Sequence, residues 1–335
     1  MKSIGLFTGV YFNNIGNAFI DLGAEEALKA AINDDFKIVK LSQSQLFASS
    51  MGTSFILKEN VLFHWLWVKV MSKYANKLQD RSYTFIKSHN VFNLIDFTSL
   101  DYLVIPGCVL TIPFIKIFGD VISRSSKKGT KIIFLGASGN FYTSYEIKYV
   151  TKFLEDLKPY AIMTRDSESF KFYSSLSIHS YNGIDNVFFV NRLNIPKLYT
   201  TKRPYIVLNF DEPKHRNIKM KLEKEFKDRN IIYTNHKPYS FSNLRKVVKE
   251  GVMCSDHALD YLFIYANADA VYSDRVHACI PTLSFGNKCR LFSDSPRIAL
   301  FESVGLPKIK NELSQIIGLD IMQDKQINFL RSILV

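Results

Sequence analysis

The sequence predicts an α/β protein with two Rossmann-like domains in succession, each built on a parallel sheet. Its 335 residues exceed what one hydrophobic core usually spans, and 47% of them are hydrophobic against 22% charged. Short apolar runs alternate with amphipathic helical stretches, which is typical of parallel α/β folds. A basic, irregular stretch at residues 191–204 interrupts this alternation, and we interpret it as the domain linker.

In the first half, apolar runs that end in polar or glycine-containing loops alternate with longer stretches of helical periodicity. Strands are predicted at residues 4–10, 36–41, 102–106, 131–135 and 161–164, and helices at 18–31, 112–127 and 144–158. We assign this series to an N-terminal domain, residues 1–195.

A second series of the same kind begins after the linker. Strands are predicted at residues 205–210, 230–234, 268–272 and 290–292, and helices at 219–229, 257–266 and 276–285. We assign this series to a C-terminal domain, residues 203–335, and expect a cleft between the two domains. Open parallel sheets bind ligands at the carboxyl ends of their strands, so functional residues are expected in the loops that follow the strands.

Residues 49–82 fall outside the alternation and contain both tryptophans, Trp65 and Trp67, between basic residues. An aromatic helix with basic flanks is typical of a segment that lies in a membrane interface. The alternative is a helix packed on the core or on the other domain. The net charge of +12, from 43 Lys and Arg against 31 Asp and Glu, favours an anionic membrane surface as a partner of this insertion.

Composition argues against several other classes of protein. The basic residues are spread along the chain, without a dense block interleaved with aromatics, which argues against nucleic-acid binding. The four cysteines show neither metal-ligand spacing nor a disulfide framework. No signal-peptide layout and no run of ~20 uncharged apolar residues is found. We therefore expect a cytoplasmic protein without a bound metal, associated peripherally with the inner face of the cytoplasmic membrane.

The most informative motif is Arg275-Val276-His277-Ala278, which follows a predicted buried strand. Arg275 is a permanent cation, and His277 exchanges protons near neutral pH. At the N-terminus of the next predicted helix, this pair suits an anionic substrate that must also receive a proton. The alternative is an arginine tied to a carboxylate and a histidine satisfied in the core.

Other strand-end loops hold weaker candidates. Asn14-Ile15-Gly16-Asn17 permits close backbone approach and offers amide donors, although it is not a dinucleotide signature. Gly136-Ala137-Ser138-Gly139 is able to wrap an anion, and Arg165 precedes Asp166, a candidate helix cap. Plain turns and a surface Arg–Asp pair are the alternatives.

In their order along the chain, these motifs resemble those of the polysaccharide pyruvyl transferase family, except over about residues 45–95. The family's Asn-x-Gly-Asp loop, Gly-Gly loop, Arg-Asp-x-x-Ser segment and Arg-x-His-Ala motif correspond to residues 14–17, 106–108, 165–169 and 275–278. The resemblance implies a GT-B-like fold with two domains. It also implies work on a bacterial-type cell-surface polysaccharide or a lipid-linked glycan.

Such transferases form a pyruvate ketal on a sugar from phosphoenolpyruvate, and no cofactor is implied. On this resemblance, His277 and Arg275 are catalytic, with His277 as the acid that protonates the donor's methylene carbon. The donor anion is expected to bind to Arg165, Gly136, Ser138, Gly139 and Gly286, and the acceptor to Asn14, Gly16, Asn17 and Asp166. The C-terminal domain would then lie on the donor side and the N-terminal domain on the acceptor side.

Two departures from the family pattern keep other functions open. Asn17 stands where the family has Asp, and Cys108 stands where it has Gly. An amide is not a useful base, so Asn17 cannot activate an acceptor hydroxyl. One alternative is a metal-independent, GT-B-like glycosyltransferase that uses a nucleotide sugar on the same kind of acceptor. The other is a non-catalytic, glycan-binding family member.

Overall fold

A computed structural model of the chain describes residues 1–9, 14–43, 94–196, 204–236, 250–255, 257–293 and 296–334. Two parallel sheets, one in each half of the chain, organise these residues. The predicted insertion at residues 49–82, with Trp65 and Trp67, lies outside the described residues. So do residues 197–203 of the predicted linker.

The first sheet has six parallel strands. They are β1 (Lys2–Thr8), β2 (Phe36–Ser42), β3 (Tyr102–Pro106), β4 (Lys131–Ala137), β5 (Ala161–Thr164) and β6 (His179–Asn182). Their order across the sheet is β2-β1-β3-β4-β5-β6. Strands β3 and β5 are buried along their whole length, as expected for apolar runs that helices cover on both faces.

The helices of the first half are α1 (Gly16–Ala31), α2 (Leu94–Phe97), α3 (Ile112–Lys127), α4 (Ser144–Leu157) and α5 (Ser167–Tyr173). One face of the sheet packs on α1, and the other packs on α3 and α4. Side chains cap three of these helices, because Thr111, Thr143 and Asp166 each accept a hydrogen bond from a backbone N–H in the first turn.

The second sheet has four parallel strands, β7 (Tyr205–Asn209), β8 (Asn230–Thr234), β9 (Ala270–Ser273) and β10 (Lys288–Leu291), in the order β10-β9-β7-β8. Its helices are α6 (Arg216–Glu225), α7 (Ala258–Ala266), α8 (Val276–Ser284) and α9 (Ala299–Glu302), and the chain ends with α10 (Leu319–Ile333). Residues of α1, α7 and α8 belong to one continuous apolar cluster, so the two halves share a core.

Each sheet has one point at which its strand order reverses. In the first sheet β1 lies between β2 and β3, and in the second β7 lies between β8 and β9. The loops that leave the two strands at such a point separate and open a crevice, which is where open α/β sheets bind ligands. We call the crevice between the loops after β1 and β3 the first crevice, and the one after β7 and β9 the second crevice.

The prediction of two Rossmann-like parallel sheets is confirmed, while the last helix of the predicted C-terminal domain packs on the first half of the chain. Helix α10 packs on the first half, where Tyr160 donates a hydrogen bond to the carbonyl of Ile333 at 2.9 Å. The side chain of Gln326 accepts a bond from the backbone N–H of Ile184 at 2.9 Å. Helix α10 therefore packs with the first half of the protein, although it follows the second sheet in sequence.

Candidate functional site

The first crevice contains a cavity of about 180 Å³ whose walls come from both halves of the chain. The cavity is lined by Gly9, Asn17, Ile20, Asp21, Gln43, Pro106, Gly107, Cys108, Val109, Phe114, Arg165, His277 and Arg297. Two guanidinium groups and one imidazole thus meet at the carboxyl end of the first sheet. Such a concentration of cationic groups in a crevice of this kind is suited to an anion.

Arg165, which follows β5, is held rigidly in the wall of this cavity and is only 1% exposed. Its Nε donates to the Ser138 hydroxyl at 2.9 Å, and its Nη1 donates to Asp185 Oδ2 at 2.6 Å. Burial is the largest influence and opposes the charge of Arg165, but Asp185 and the other acidic groups nearby together outweigh it and raise the pKa of the guanidinium. Arg165 is therefore a fixed cation in the cavity wall, and its donor-binding role stays a prediction.

Arg297 is a cavity residue that the sequence did not point to. It lies in the single 3-10 turn Pro296–Ile298, after the last strand of the second sheet. Burial, together with the positive charges of Arg165 and Arg275, lowers the pKa of Arg297. An anion in the cavity would relieve this repulsion. No motif marks Arg297, because it joins the other cations only through the fold.

His277 is the second residue of α8 and is almost completely buried. Among the described residues, its Nε2 has no hydrogen-bond partner. Burial holds the pKa of His277 well below its usual range, and the charges of Arg297, Arg165 and Arg275 lower it further. The imidazole is therefore neutral at neutral pH until an anion offsets the arginines. Its predicted role as an acid thus depends on the charge of the ligand.

The absence of a side chain at Gly16 allows the loop after β1 to approach His277 closely. A Cβ atom on Gly16 would lie 2.7 Å from His277 Nδ1 and 2.8 Å from its Cβ, too close for any other residue without a shift. The backbone N–H of Gly16 donates to Asn14 Oδ1 at 3.1 Å. Two motifs that are far apart in sequence are thus in contact, as expected for parts of one site.

Arg275 lies beside the cavity rather than in its wall. Its Nε is 3.3 Å from Asp211 Oδ2, and its Nη1 is 3.9 Å from Glu212 Oε1. Its Nη2 donates to Asn14 Oδ1 at 3.3 Å. The alternative interpretation of Arg275, an arginine tied to carboxylates, describes these contacts, while its catalytic role stays a prediction. Its charge nevertheless acts on His277 and Arg297.

The second crevice is filled by a side chain of the protein itself. The carboxylate of Asp274 accepts hydrogen bonds from the backbone N–H groups of Asp211 at 3.0 Å and Glu212 at 2.8 Å. The same carboxylate lies 2.9 Å from His215 Nδ1. Backbone N–H groups at such a crevice can donate hydrogen bonds to an external anion, but here they already donate to the Asp274 side chain.

A second cavity, of about 100 Å³, lies on the other side of Arg165 and Arg297. Ser138, Gly139 and Asp166 line it, as the predicted donor and acceptor sites require. The Asp166 carboxylate accepts bonds from the N–H of Ser169 at 2.7 Å and the hydroxyl of Tyr142 at 3.0 Å. Asp166 is thus the helix cap that the sequence suggested, and its acceptor-binding role stays a prediction.

Two glycines predicted to bind the donor anion lie away from both cavities. Gly136 has a φ of 57°, and a Cβ there would lie 2.7 Å from the side-chain amide of Asn186. Gly286 has a φ of 80° and follows the C-terminal end of α8, whereas His277 lies at the N-terminal end. The structure shows packing at Gly136 and chain reversal at Gly286, and their predicted roles in binding the donor stay predictions.

Two further buried residues, His236 and Asp185, lie next to residues of the site. Sequence reasoning missed both. The His236 Nε2 lies 2.6 Å from the Tyr265 hydroxyl, and its ring packs edge-on against Phe19 of α1, with centroids 5.7 Å apart. Burial, followed by the charges of Arg275 and His277, holds the pKa of His236 well below its usual range. Neither residue has a partner at a regular sequence spacing, so no motif reveals them.

Among the residues that the structure describes, no group of three or more His, Cys, Asp or Glu side chains is arranged to hold a metal ion. None of the described helices is both long and apolar enough to cross a membrane. The predictions of metal independence and of peripheral membrane association are not tested by these findings.

Comparisons with known proteins agree with the motifs and the fold. The family model described as polysaccharide pyruvyl transferase matches residues 14–296. No curated protein matches. The structure resembles the UDP-GlcNAc 2-epimerase of Neisseria meningitidis bound to UDP-GlcNAc, with a TM-score of 0.54 and 12% identity over 100% of both chains. The structure also resembles a putative UDP-N-acetylglucosamine 2-epimerase of Listeria monocytogenes, with a TM-score of 0.55 and 9% identity over 99% of this chain and 96% of the other.

The family resemblance and the GT-B-like fold are thereby confirmed. The S. aureus MnaA–UDP structure is also similar, with a TM-score of 0.52 and 13% identity over 100% of this chain and 97% of the other. At 9–13% identity, these likenesses show the fold alone. The family match supports a transferase that modifies glycans.

Proposed function

The chain belongs to the polysaccharide pyruvyl transferase family, and we propose that it transfers the enolpyruvyl group of phosphoenolpyruvate to a sugar of a cell-surface or lipid-linked glycan. The observation that carries this proposal is the cationic cavity, in which Arg165 and Arg297 accompany the buried imidazole of His277. Phosphoenolpyruvate carries a carboxylate and a phosphate. Each matches the planar fork of one guanidinium group.

The size of the cavity supports a compact donor. Its volume of about 180 Å³ is smaller than the ~300–1,000 Å³ typical of pockets for drug-sized ligands. Phosphoenolpyruvate is far smaller than a nucleotide sugar. In addition, the N–H groups of the second crevice already bind Asp274, so we place the donor in the first crevice, at the N-terminal sheet, and not on the C-terminal domain that the family resemblance implied.

In the proposed reaction, imidazolium His277 gives a proton to the methylene carbon of the donor, and a sugar hydroxyl bonds to the adjacent carbon C2. The bond between C2 and the phosphate oxygen then breaks, and a second hydroxyl of the same sugar attacks C2 to close the ketal. One hydroxyl proton leaves with hydrogen phosphate, and the other returns to His277. Arg165 and Arg297 hold the donor's anionic groups throughout.

The donor would itself activate His277. The pKa of the imidazole is low because of burial and three nearby arginines. A bound trianion offsets the arginine charges, so it raises the pKa of His277 and loads the proton that the first step requires. In this account, the acid is assembled only when the donor is present.

A nucleotide-sugar donor is the second candidate, because the fold resembles that of an epimerase bound to UDP-GlcNAc. In that case, Arg165, Arg297 and His277 would stabilise a departing diphosphate without a metal. The third possibility, a non-catalytic family member, requires that a His277→Gln variant keep its function in full.

The test is a thermal-shift comparison of phosphoenolpyruvate with UDP-, GDP- and CMP-sugars. Ligand at 100 times its dissociation constant stabilises the native state by about 2.7 kcal/mol. We expect phosphoenolpyruvate to raise the melting temperature of the wild type and of the exposed control Lys221→Gln, but not of Arg297→Gln. A response to a nucleotide sugar with none to phosphoenolpyruvate would contradict the proposal.

We further propose that the protein acts in the cytoplasm at the inner face of the cytoplasmic membrane, on the basis of the sequence around Trp65 and Trp67. A lipid-linked acceptor would be found there. Replacing both tryptophans by serine should reduce sedimentation with anionic vesicles. Unchanged sedimentation would refute the membrane association.

A further inference from the structure

The N-terminal part of α1 places a carboxylate in the wall of the first cavity. Asn17, Ile20 and Asp21 line the cavity, at the spacing of neighbouring positions on one helix face. Among the described residues of the cavity wall, Asp21 is the one with a carboxylate. Asn17, one helical turn before it, offers only an amide, which is not a useful base.

Asp21 is buried, and its orientation is fixed by the loop after β1. The side chain is 6% exposed, and its Oδ2 accepts a hydrogen bond from the backbone N–H of Gly9 at 2.8 Å. A Cβ on Gly9 would lie 3.8 Å from this oxygen and 3.9 Å from the Cβ of Asn17, so the three residues form one wall. A carboxylate accepts several hydrogen bonds at once, so the bond from Gly9 does not by itself prevent Asp21 from accepting a hydroxyl proton.

The proposed reaction needs a group of this kind. His277 supplies the proton to the methylene carbon, and it cannot at the same moment accept one from the attacking hydroxyl. Asp21 places a carboxylate in the wall of the same cavity as His277, Arg165 and Arg297. It can therefore act as a base opposite an acid that is loaded by the donor.

We propose that Asp21 is the catalytic base of this site, which activates the first sugar hydroxyl; the inference rests on the proposed function. As the bond between the hydroxyl oxygen and C2 forms, the O–H bond breaks and its proton passes to Asp21. When the bond between C2 and the phosphate oxygen breaks, Asp21 returns this proton to the departing phosphate. The second hydroxyl gives its proton to His277, so both side chains recover their starting states.

The proposal also accounts for Asn17. The base lies one helical turn further along α1, so the position that the family fills with Asp can be an amide here. Moving the carboxylate back by one turn should then restore part of the activity that its removal abolishes. A purely structural role for Asp21, holding the Gly9 N–H, does not make that prediction.

The experiment compares the wild type with Asp21→Asn, the double variant Asp21→Asn with Asn17→Asp, and the exposed control Asp34→Asn. The asparagine at position 21 still accepts a bond from Gly9, so folding should be kept. Phosphoenolpyruvate binding is measured by calorimetry, and phosphate release is measured with p-nitrophenyl hexosides, and with water, as nucleophiles. Melting temperatures are measured in parallel.

We expect Asp21→Asn to bind phosphoenolpyruvate at least as tightly as the wild type, because one negative charge leaves the cavity. Its turnover should fall by about 10²–10⁴-fold, the usual contribution of general acid–base catalysis. The acidic limb of the pH–rate profile should also disappear, and the double variant should recover part of the rate. Asp34→Asn should behave as the wild type.

Normal turnover of Asp21→Asn, or a loss of donor binding or melting temperature equal to its loss of rate, would overturn the inference while leaving the proposed function intact. Failure of the wild type to bind phosphoenolpyruvate would overturn both. The two failures are distinguishable, because the first appears in the variant and the second in the wild type.

Discussion

The two crevices have the same strand order and opposite contents. In the first, the loops after β1 and β3 leave a cavity with the guanidinium groups of Arg165 and Arg297 in its wall. In the second, the carboxylate of Asp274 binds the backbone N–H groups that an external anion would use. Topology therefore marks two possible sites, and their side chains distinguish them, because a carboxylate occupies one crevice and cations line the other.

The comparison also shows how the second half contributes to the first crevice. Asp274 fills its own crevice, while His277, three residues later, reaches across to the loop that contains Gly16. One short segment thus fills one crevice and, in the proposed reaction, would supply the acid in the other. The following variants are designed to test this division of roles.

The largest effect is expected from Arg165→Met. This substitution leaves Asp185 as an uncompensated buried charge, so the free energy of unfolding should fall by about 3–5 kcal/mol in urea titrations. The double variant Arg165→Met with Asp185→Leu should recover most of this stability but should not respond to phosphoenolpyruvate. A stable single variant, or a double variant that binds the donor, would show that Arg165 is not the central cation of the first crevice.

Asp274→Asn should act on stability more than on donor binding. The change weakens charge-assisted hydrogen bonds to two backbone N–H groups and to His215, so we expect a loss of about 1–3 kcal/mol of unfolding free energy. The thermal shift produced by phosphoenolpyruvate should persist. If this variant lost the donor response as completely as Arg297→Gln, the second crevice would be part of the donor site.

Gly16→Ala tests the contact between the loop after β1 and His277. The new Cβ would collide with the imidazole, so we expect about 1–3 kcal/mol of destabilisation and a loss of turnover larger than the loss of donor binding. A suitable control is Gly119→Ala in α3, where the new Cβ would lie 3.1 Å from the ring of Phe153, away from the cavity. Equal losses of stability and turnover in the two variants would show that the contact between Gly16 and His277 has no special role in the site.

The smallest effect is a pH dependence of stability that comes from the two buried histidines. His236 and His277 have lowered pKa values in the folded protein, so the unfolded chain binds more protons at pH values below about 6.5. The free energy of unfolding should have its full value above that pH. At lower pH it should decrease, by up to about 1.4 kcal/mol per pH unit for each histidine. Urea titrations of the His236→Gln and His277→Gln variants should show a flatter dependence, and an unchanged slope would contradict the assignment.

Much of the fold could be predicted from the sequence because its signals are local. The predicted strands at 102–106, 161–164 and 230–234 agree with β3, β5 and β8, since short apolar runs between polar loops determine them. Strand β6 was missed because His179–Asn182 is polar and only partly buried. The position of α10 was missed because its packing on the first half depends on contacts with Tyr160 and Ile184, which are distant in sequence.

The site was only partly predictable, for a related reason. Gly16, His277 and Arg165 belong to motifs, and the fold brings them to one crevice. Arg297 and Asp21 have no motif, and they enter the cavity because a turn and a helix face point that way. Gly136 and Gly286 have positive φ angles, and neither lines one of the two cavities. Motifs identified His277, the proposed acid, whereas burial and charge identified the residues around it.

The central claim is that the anionic donor turns neutral His277 into an acid. It is tested most directly by calorimetry of phosphoenolpyruvate binding at pH 7 in buffers of different ionisation enthalpy, which gives the number of protons taken up. Because donor binding raises the pKa of His277, the wild type should take up more protons than His277→Gln, by up to about one per donor bound. Equal proton uptake by the two proteins would contradict this account of the site.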